Sequence, residues 1–159
     1  MILETVDFVS APVASVFDAY TDHERMEMLA RARRAEVARG GDAADGPLGL
    51  VWNVRAPFRG RMWEAELRIK EIESPRKVVV VSSGGAFTGA MTVLFEETGE
   101  AATRVTTRVE VTGVTVPAKM LVSTLALAHG EISRRFAARM AGFAASVSRQ
   151  LSSQQRRGA

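Results

Sequence analysis

His129 is the residue of this 159-residue chain whose type and position best suit proton chemistry. It lies on an apolar helical stripe between Leu125 and Ile132, so in a cavity its imidazole could bind a ligand carbonyl or transfer a proton near neutral pH. A buried histidine bonded to a neighbouring polar group fits the same spacing. We therefore treat His129 as a candidate for ligand contact first and for acid–base catalysis second. Gly130 indicates a close approach or a slight bend beside it, since glycine lowers helix stability by about 1 kcal/mol relative to alanine.

Aromatic and sulfur-containing side chains supply the other candidate ligand contacts. Trp52 and Trp63 occupy the apolar phase of consecutive predicted strands, where they could meet across a hairpin and offer flat surface to a ligand. Packing in an ordinary core explains their positions equally well. The remaining candidates for the lining of a ligand site are Phe87, Met91, Leu125, Ile132 and Phe136.

Composition and spacing exclude several kinds of catalytic and cofactor site. The chain has no cysteine, which removes disulfides, thiol nucleophiles, cysteine zinc sites and iron–sulfur clusters. His23 and Glu27 have helical metal-ligand spacing, but two ligands are too few. Segment 40–49 is rich in glycine but lacks the Gly-Lys-Ser/Thr of a phosphate loop. We therefore expect neither a metal site nor a cofactor.

The basic residues do not indicate a nucleic-acid partner. Lysine and arginine outnumber aspartate and glutamate by 21 to 18, which leaves a formal net charge of only +3. The basic groups are separated along the chain and interleaved with glutamate, whereas a nucleic-acid interface gathers them on one face. Solvated helix faces account for them.

One uncharged segment is nearly long enough to be a membrane-spanning helix. Residues 78–95 carry no charge, which approaches the length of a spanning helix. The segment is interrupted by Ser82, Ser83, Gly84 and Gly85, and small or polar residues alternate with large apolar ones after them. It therefore predicts two strands joined by a tight turn at the glycine pair. The N-terminus also lacks the pattern of a secretory signal. We expect a cytoplasmic protein without stable membrane insertion.

The elements that position these residues follow from periodicity. Alternation predicts strands over 50–58, 63–72, 86–96 and 104–111, with a phase shift near Ile72. A high content of β-branched and apolar residues predicts a strand over 2–9, and the uncharged segment supplies a strand over 77–82. Two short helices follow the first strand, and a helical stripe runs from about 117 to 151. Segment 40–47 is expected to be a flexible connection. A one-sided sheet needs a cover, and the terminal helix is the largest predicted element available.

The element order predicts an α+β fold. We expect a curved antiparallel sheet of about seven strands wrapped around a long C-terminal helix, with two short helices after the first strand. Because one helix cannot cover so many strands by flat contact, the sheet must curl and leave a gap, which the short helices close at one end. Residues 1–152 are expected to form a single domain, and residues 153–159 a flexible basic tail.

Residues 8–22, FVSAPVASVFDAYTD, resemble the opening of the START-like (SRPBCC) superfamily. There a strand is followed by an Ala-Pro pair, a Val-Phe pair and a helix break, and the element order agrees over nearly the whole chain. The resemblance implies the helix-grip fold of polyketide cyclases, dehydratases and birch-pollen-allergen-like proteins, with a hydrophobic cavity. Members bind lipids, sterols, plant hormones or polyketides, so the fold alone does not determine the function. The superfamily shares no universal catalytic residue that could be assigned here.

Three functions remain open on this basis. The first is binding or carriage of a small hydrophobic ligand, of lipid, polyketide or aromatic type, by a monomer or homodimer. The second is a polyketide cyclase- or dehydratase-like enzyme that uses the same cavity, with His129 as acid or base. The third is a protein-interaction module in which side chains fill the core.

Overall fold

Seven strands form one antiparallel sheet in the computed structural model, which describes residues 1–83 and 85–158. The strand order is β1-β7-β6-β5-β4-β3-β2. The strands are β1 Ile2–Val9, β2 Glu36–Gly41, β3 Leu50–Phe58, β4 Arg61–Glu73, β5 Lys77–Ser83, β6 Phe87–Gly99 and β7 Ala102–Gly113. The helices are α1 Val13–Tyr20, α2 His23–Ala32, α3 Val116–Leu127 and α4 His129–Arg157.

This arrangement confirms the predicted curved sheet, the two short helices after the first strand and the long C-terminal helix. The phase shift predicted near Ile72 is a register shift between Ile69 and Glu71, which keeps both isoleucines on the inner face. The uncharged segment forms β5 and β6, which pair antiparallel. The predicted glycine turn between them falls partly on Gly84, which lies outside the described residues. No helix in residues 1–83 and 85–158 is long and apolar enough to cross a membrane.

A packed core fills the end of the sheet next to α1. The ring centroid of Phe95 lies 5.1 Å from that of Phe17 and 5.5 Å from that of Tyr20, both edge-on. Tyr20 also meets Phe143 of α4 edge-on at 4.7 Å. Val147 of α4 is fully buried in the same cluster. Each such side chain contributes about 1.5–3 kcal/mol on burial, so this end of the molecule holds the fold together.

The predicted single terminal helix is in fact two helices, α3 and α4. Ala128 leaves the helical conformation at φ −108° and ψ 28°, two residues before Gly130, and α4 begins at His129. The imidazole of His129 bonds to a carbonyl of β1, which fixes where the second helix starts. The apolar stripe continues at helical spacing from α3 into α4, so the sequence pattern does not reveal this break. The expected tail at 153–159 is helical up to Arg157.

The structure contains a strand, β2, that the sequence analysis did not predict. The flexible connection predicted at 40–47 is wrong, because Gly40 and Gly41 end β2, and a short 3₁₀ segment, Ala43–Gly49, follows. Alternation is hard to see in β2 because Arg39 takes an inner-face position, opposite Trp52 of β3. Gly41 has a φ of +86°, and a side chain there would clash with the carbonyl of Gly49.

Candidate functional site

The inner face of the central strands is only partly covered. In a filled core, apolar side chains at the centre of a seven-stranded sheet would be fully buried. Here the inner-face residues that remain half-buried include Ala65, Leu67, Phe87, Val109 and Val111, together with Val80 and Met91, which also pack against the core. The half-buried apolar residues on α3 and α4 are Leu121, Leu125, Ile132, Phe136 and Met140. We call the partly exposed apolar surface that these two sets form, on the sheet and on the helices beside it, the cleft.

The mouth of the cleft lies where the β3–β4 turn, the β5–β6 connection and the start of α3 come together. A depression of about 460 Å³ opens there. Its lining residues are Arg61, Met62, Trp63, Glu64, Gly85, Ala86, Thr115 and Pro117. The neighbouring segments of the chain also carry exposed apolar side chains, with Phe58 45%, Val116 70% and Met120 66% exposed. The opening therefore combines apolar side chains with two charged ones, Arg61 and Glu64.

Trp63 and Phe87 form one wall of the mouth. Their ring centroids are 4.8 Å apart, with the planes inclined at 52°. The indole N–H of Trp63 donates to the carbonyl of Phe58 at 3.1 Å, and the guanidinium of Arg61 lies 5.2 Å from the indole centroid. These contacts hold the indole in one orientation, so a flat aromatic surface is available to the cleft.

Trp52 does not meet Trp63, contrary to the sequence-based expectation. Trp52 pairs with Leu67 across the β3–β4 hairpin, whereas Trp63 pairs with Ala56. The two indoles share the inner face but are separated along it, because the hairpin turn sits close to Trp63 and far from Trp52. Trp52 is buried, and its N–H donates to Glu27 Oε1 at 2.8 Å.

Glu27 makes a buried contact with Arg39 and Trp52 that sequence reasoning missed. Its buried carboxylate accepts hydrogen bonds from Arg39 Nε at 2.6 Å and from Trp52 Nε1, and it lies 3.8 Å from Arg31 Nη1. The hydrogen bond from Arg39 is the main reason that the pKa of Glu27 lies below its ordinary value. The contact fastens α2 onto β2 and β3, at the edge of the sheet opposite β1. The inward phase of Arg39 would have been the signal, had β2 been recognised.

The metal-ligand spacing of His23 and Glu27 leads to no cluster. The His23 ring packs 6.1 Å from the Trp52 indole, while Glu27 is taken up by Arg39 and Trp52. Within the described part of the chain, no three His, Cys, Asp or Glu side chains group closely enough to hold a metal ion.

His129 lies at the edge of the sheet and not over the middle of its inner face. The side chain is exposed at the first residue of α4, and its Nε2 lies 2.9 Å from the carbonyl of Ile2 on edge strand β1. A carbonyl only accepts, so Nε2 carries the proton in this contact. Nδ1 faces the hydroxyl of Ser133 at 3.4 Å. The imidazole therefore joins α4 to β1.

We expect His129→Ala to lower the free energy of unfolding by about 0.5–1 kcal/mol, the usual net value of one hydrogen bond. Thermal denaturation followed by circular dichroism measures this effect. Affinity for a hydrophobic probe such as Nile red should change by less than about twofold. A large loss of affinity at unchanged stability would contradict this role and restore His129 as a ligand contact.

Asp7 is a carboxylic acid on the inner face of β1, opposite Val105. Burial raises the pKa of Asp7 above its ordinary value, and the nearby Thr5 hydroxyl offsets part of this effect. The ionised form is thus less favourable in the folded protein than in the unfolded chain. The stability that Asp7 contributes is present below the unfolded pKa and is lost as pH rises through the folded pKa.

Asp7→Asn should therefore raise the free energy of unfolding at neutral pH, by less than about 1 kcal/mol, since part of the side chain is exposed. The difference from the wild-type protein should grow as pH rises above about 3.8, the ordinary pKa of the Asp7 carboxyl, and become constant above its folded pKa. Urea denaturation at several pH values measures it. A difference that is the same below and above the pKa of Asp7 would show that the charge of Asp7 is not the cause.

Comparisons with known proteins agree with this architecture. The family model of Activator of Hsp90 ATPase homolog 1-like protein matches residues 10–139. This chain belongs to that family. Its membership bears out the START-like resemblance of residues 8–22. A search of curated proteins finds no match.

Several solved structures share this fold at low sequence identity. TTHA0849 from Thermus thermophilus is 18% identical, with 92% of this chain and 97% of that chain covered and a TM-score of 0.63. A START superfamily protein from Mycobacterium smegmatis is 12% identical, with coverage of 92% and 98% and a TM-score of 0.63. Norcoclaurine synthase from Thalictrum flavum, in complex with dopamine and hydroxybenzaldehyde, is 13% identical, with coverage of 95% and 86% and a TM-score of 0.61. These likenesses confirm the predicted helix-grip fold.

Within this family fold, the eight predicted ligand contacts separate into two groups. The side chain of Trp52 is hydrogen-bonded to Glu27, and that of His129 to the carbonyl of Ile2. The other six are half-buried on the sheet or on the helices that cover it, and they are Trp63, Phe87, Met91, Leu125, Ile132 and Phe136.

Proposed function

We propose that this protein binds a small hydrophobic molecule in the cleft. The observation that carries the proposal is the half-buried apolar surface on the inner face, from Ala65 and Leu67 on β4 to Val109 on β7. Removing such surface from water is favourable by about 25 cal/mol per Å². A ligand that enters the cleft covers this surface, as the side chains of the packed core do at the other end.

The mouth and the known relatives of the fold support the same function. Trp63 and Phe87 present aromatic surface at the opening, and Met91 adds an adaptable side chain further in. The structure of norcoclaurine synthase, a protein of this fold, contains dopamine and hydroxybenzaldehyde. We propose Trp63, Phe87, Met91, Leu125, Ile132 and Phe136 as the residues that contact the ligand.

Native mass spectrometry of the purified protein, with solvent extraction and identification of any bound molecule, tests this function. The proposal expects a co-purifying apolar molecule, or stoichiometric uptake of Nile red by protein from which the molecule was removed. The proposal would be contradicted if the purified protein held no bound molecule and also took up no dye. A molecule that is recovered chemically unchanged after incubation would favour binding or carriage over the enzymatic alternative.

Binding of a protein partner is a second candidate, because α3 exposes apolar residues that the fold leaves uncovered. Val116 is 70% exposed, Met120 66% and Leu127 90%. The family is described by its likeness to an activator of the Hsp90 ATPase. A rise in Hsp90 ATPase activity on addition of this protein, abolished by Val116→Lys with Met120→Lys, would favour this candidate. No effect on the ATPase would count against it.

A further inference from the structure

Polar side chains gather on the inner face where the cleft meets the packed core. Thr5 of β1 and Thr107 of β7 are direct partners across the sheet. Asp7 is the next inward residue of β1, and burial of the phenol, followed by the charge of Asp7, raises the pKa of Tyr20 of α1. Thr5, Thr107 and Tyr20 are 8%, 0% and 9% exposed. We call these four residues the polar cluster.

The polar cluster is unsatisfied. Within residues 1–83 and 85–158, the hydroxyl oxygens of Thr5, Thr107 and Tyr20 and the Oδ2 of Asp7 are buried without a hydrogen-bond partner. Native proteins leave few buried polar atoms in this condition, and those that remain point to a water or a ligand. Thr103, on the same face of β7, shows the ordinary arrangement, since its hydroxyl donates to the carbonyl of Ala11 at 2.8 Å.

The position of the polar cluster relates it to the cleft. Along the inner face of β7, burial increases from half-buried Val111 and Val109 to fully buried Thr107 and Val105. Thr107 is thus the first fully buried residue beyond the half-buried cleft wall. A ligand that enters at the mouth and lies along β7 ends against its hydroxyl.

The chemistry of the polar cluster selects the polar group that fits there. Three hydroxyls can donate or accept, and the carboxylate of Asp7 accepts from a donor. The cluster contains no cation, so a carboxylate or phosphate placed here would face Asp7 without a compensating charge. A hydroxyl group can donate to Asp7 and accept from Thr107.

We infer that Thr5, Asp7, Tyr20 and Thr107 form the polar end of the ligand site and bind the hydroxyl group of an otherwise apolar alcohol, whose chain lies in the cleft. This inference rests on the proposed function and specifies its ligand class. The ligand enters with its hydroxyl first and leaves its apolar end at Trp63 and Phe87.

Displacement of Nile red by dodecanol, dodecanoate and dodecane tests the inference near neutral pH. Dodecanol should bind at least about tenfold more tightly than dodecanoate, because of the charge of Asp7. Thr107→Val removes the hydroxyl and keeps the side-chain shape. It should weaken dodecanol binding about five- to twentyfold and leave dodecane binding unchanged. Thr107→Ser should restore most of the dodecanol affinity, and Thr106→Val, on the opposite face of β7, should leave all affinities unchanged.

Each outcome separates this inference from the proposed function. Equal binding of dodecanol and dodecanoate, or dodecanol binding unaffected by Thr107→Val, would overturn the inference while dodecane binding still supports the cleft. If neither dodecane nor Nile red binds, the proposed function fails together with the inference.

Discussion

Ala65→Phe is expected to remove most of the binding of hydrophobic ligands while the protein stays folded. Ala65 lies on the inner face of β4 between Trp63 and Leu67, and its half-buried side chain is part of the cleft surface. A phenyl ring there occupies the volume that the ligand needs and covers apolar surface at the same time. Titration with Nile red should show an affinity at least about tenfold lower, which corresponds to about 1.4 kcal/mol.

Ala90→Phe is the matched control for this substitution. Ala90 is also half-buried, but it lies on the outer face of β6, opposite Val81 and Glu110. Nile red affinity should stay within about twofold of the wild-type value. Unchanged affinity in folded Ala65→Phe, judged by thermal denaturation, would mean that the ligand binds elsewhere.

Glu27→Ala is expected to have the largest effect on stability among the substitutions considered. The change removes the acceptor of two hydrogen bonds and leaves the buried indole N–H of Trp52 and the guanidinium of Arg39 without it. Breaking a buried pair costs about 3–5 kcal/mol, but Arg39 is one-third exposed, so we expect about 2–3 kcal/mol. Urea denaturation measures the difference.

The effect of Glu27→Ala should depend on pH in one direction. The pKa of Glu27 is lower in the folded protein than its ordinary value of 4.5, so its contribution is present above about pH 4.5. The contribution is lost as pH falls through the folded pKa, and the two proteins should approach each other in stability there. Glu36→Ala breaks only an exposed ion pair with Arg55 and should change the free energy of unfolding by less than about 0.5 kcal/mol. A pH-independent deficit in Glu27→Ala would contradict the ionic role.

Strict alternation explains why most of the sheet could be predicted from sequence. Strands β4 and β7 alternate apolar and polar residues, and α1 has its apolar residues at helical spacing, so burial on one face dictates both. Strand β5 contains four consecutive valines and was predicted instead from the uncharged segment that a turn interrupts. Strand β2 departs from the rule because Arg39 faces inward, where Glu27 of a different element neutralises it. That pairing is a tertiary contact, which periodicity along one segment does not contain.

The candidate site was predictable in part for a similar reason. Phe87 and Leu125 are apolar residues at apolar positions of a predicted strand and helix, and the structure places them half-buried on a strand and a helix; their contact with a ligand stays a prediction. His129 continues the same stripe, yet the break at Ala128 turns it to the edge strand, and only the carbonyl of Ile2 explains its orientation. The polar cluster was not predicted because threonine is common in strands, and whether its hydroxyl is satisfied depends on neighbours distant in sequence.

Methyl-resolved NMR during titration with dodecanol tests the central claim, that the cleft is open and binds an apolar molecule, most directly. We predict saturable shifts at residues on the cleft walls, such as Leu67, Met91 and Leu125. Val16 and Val147, in the packed core, should shift little because no ligand reaches them. Shifts confined to exposed Val116 and Met120, or no saturable shifts, would show that the cleft does not bind the molecule and would contradict the claim.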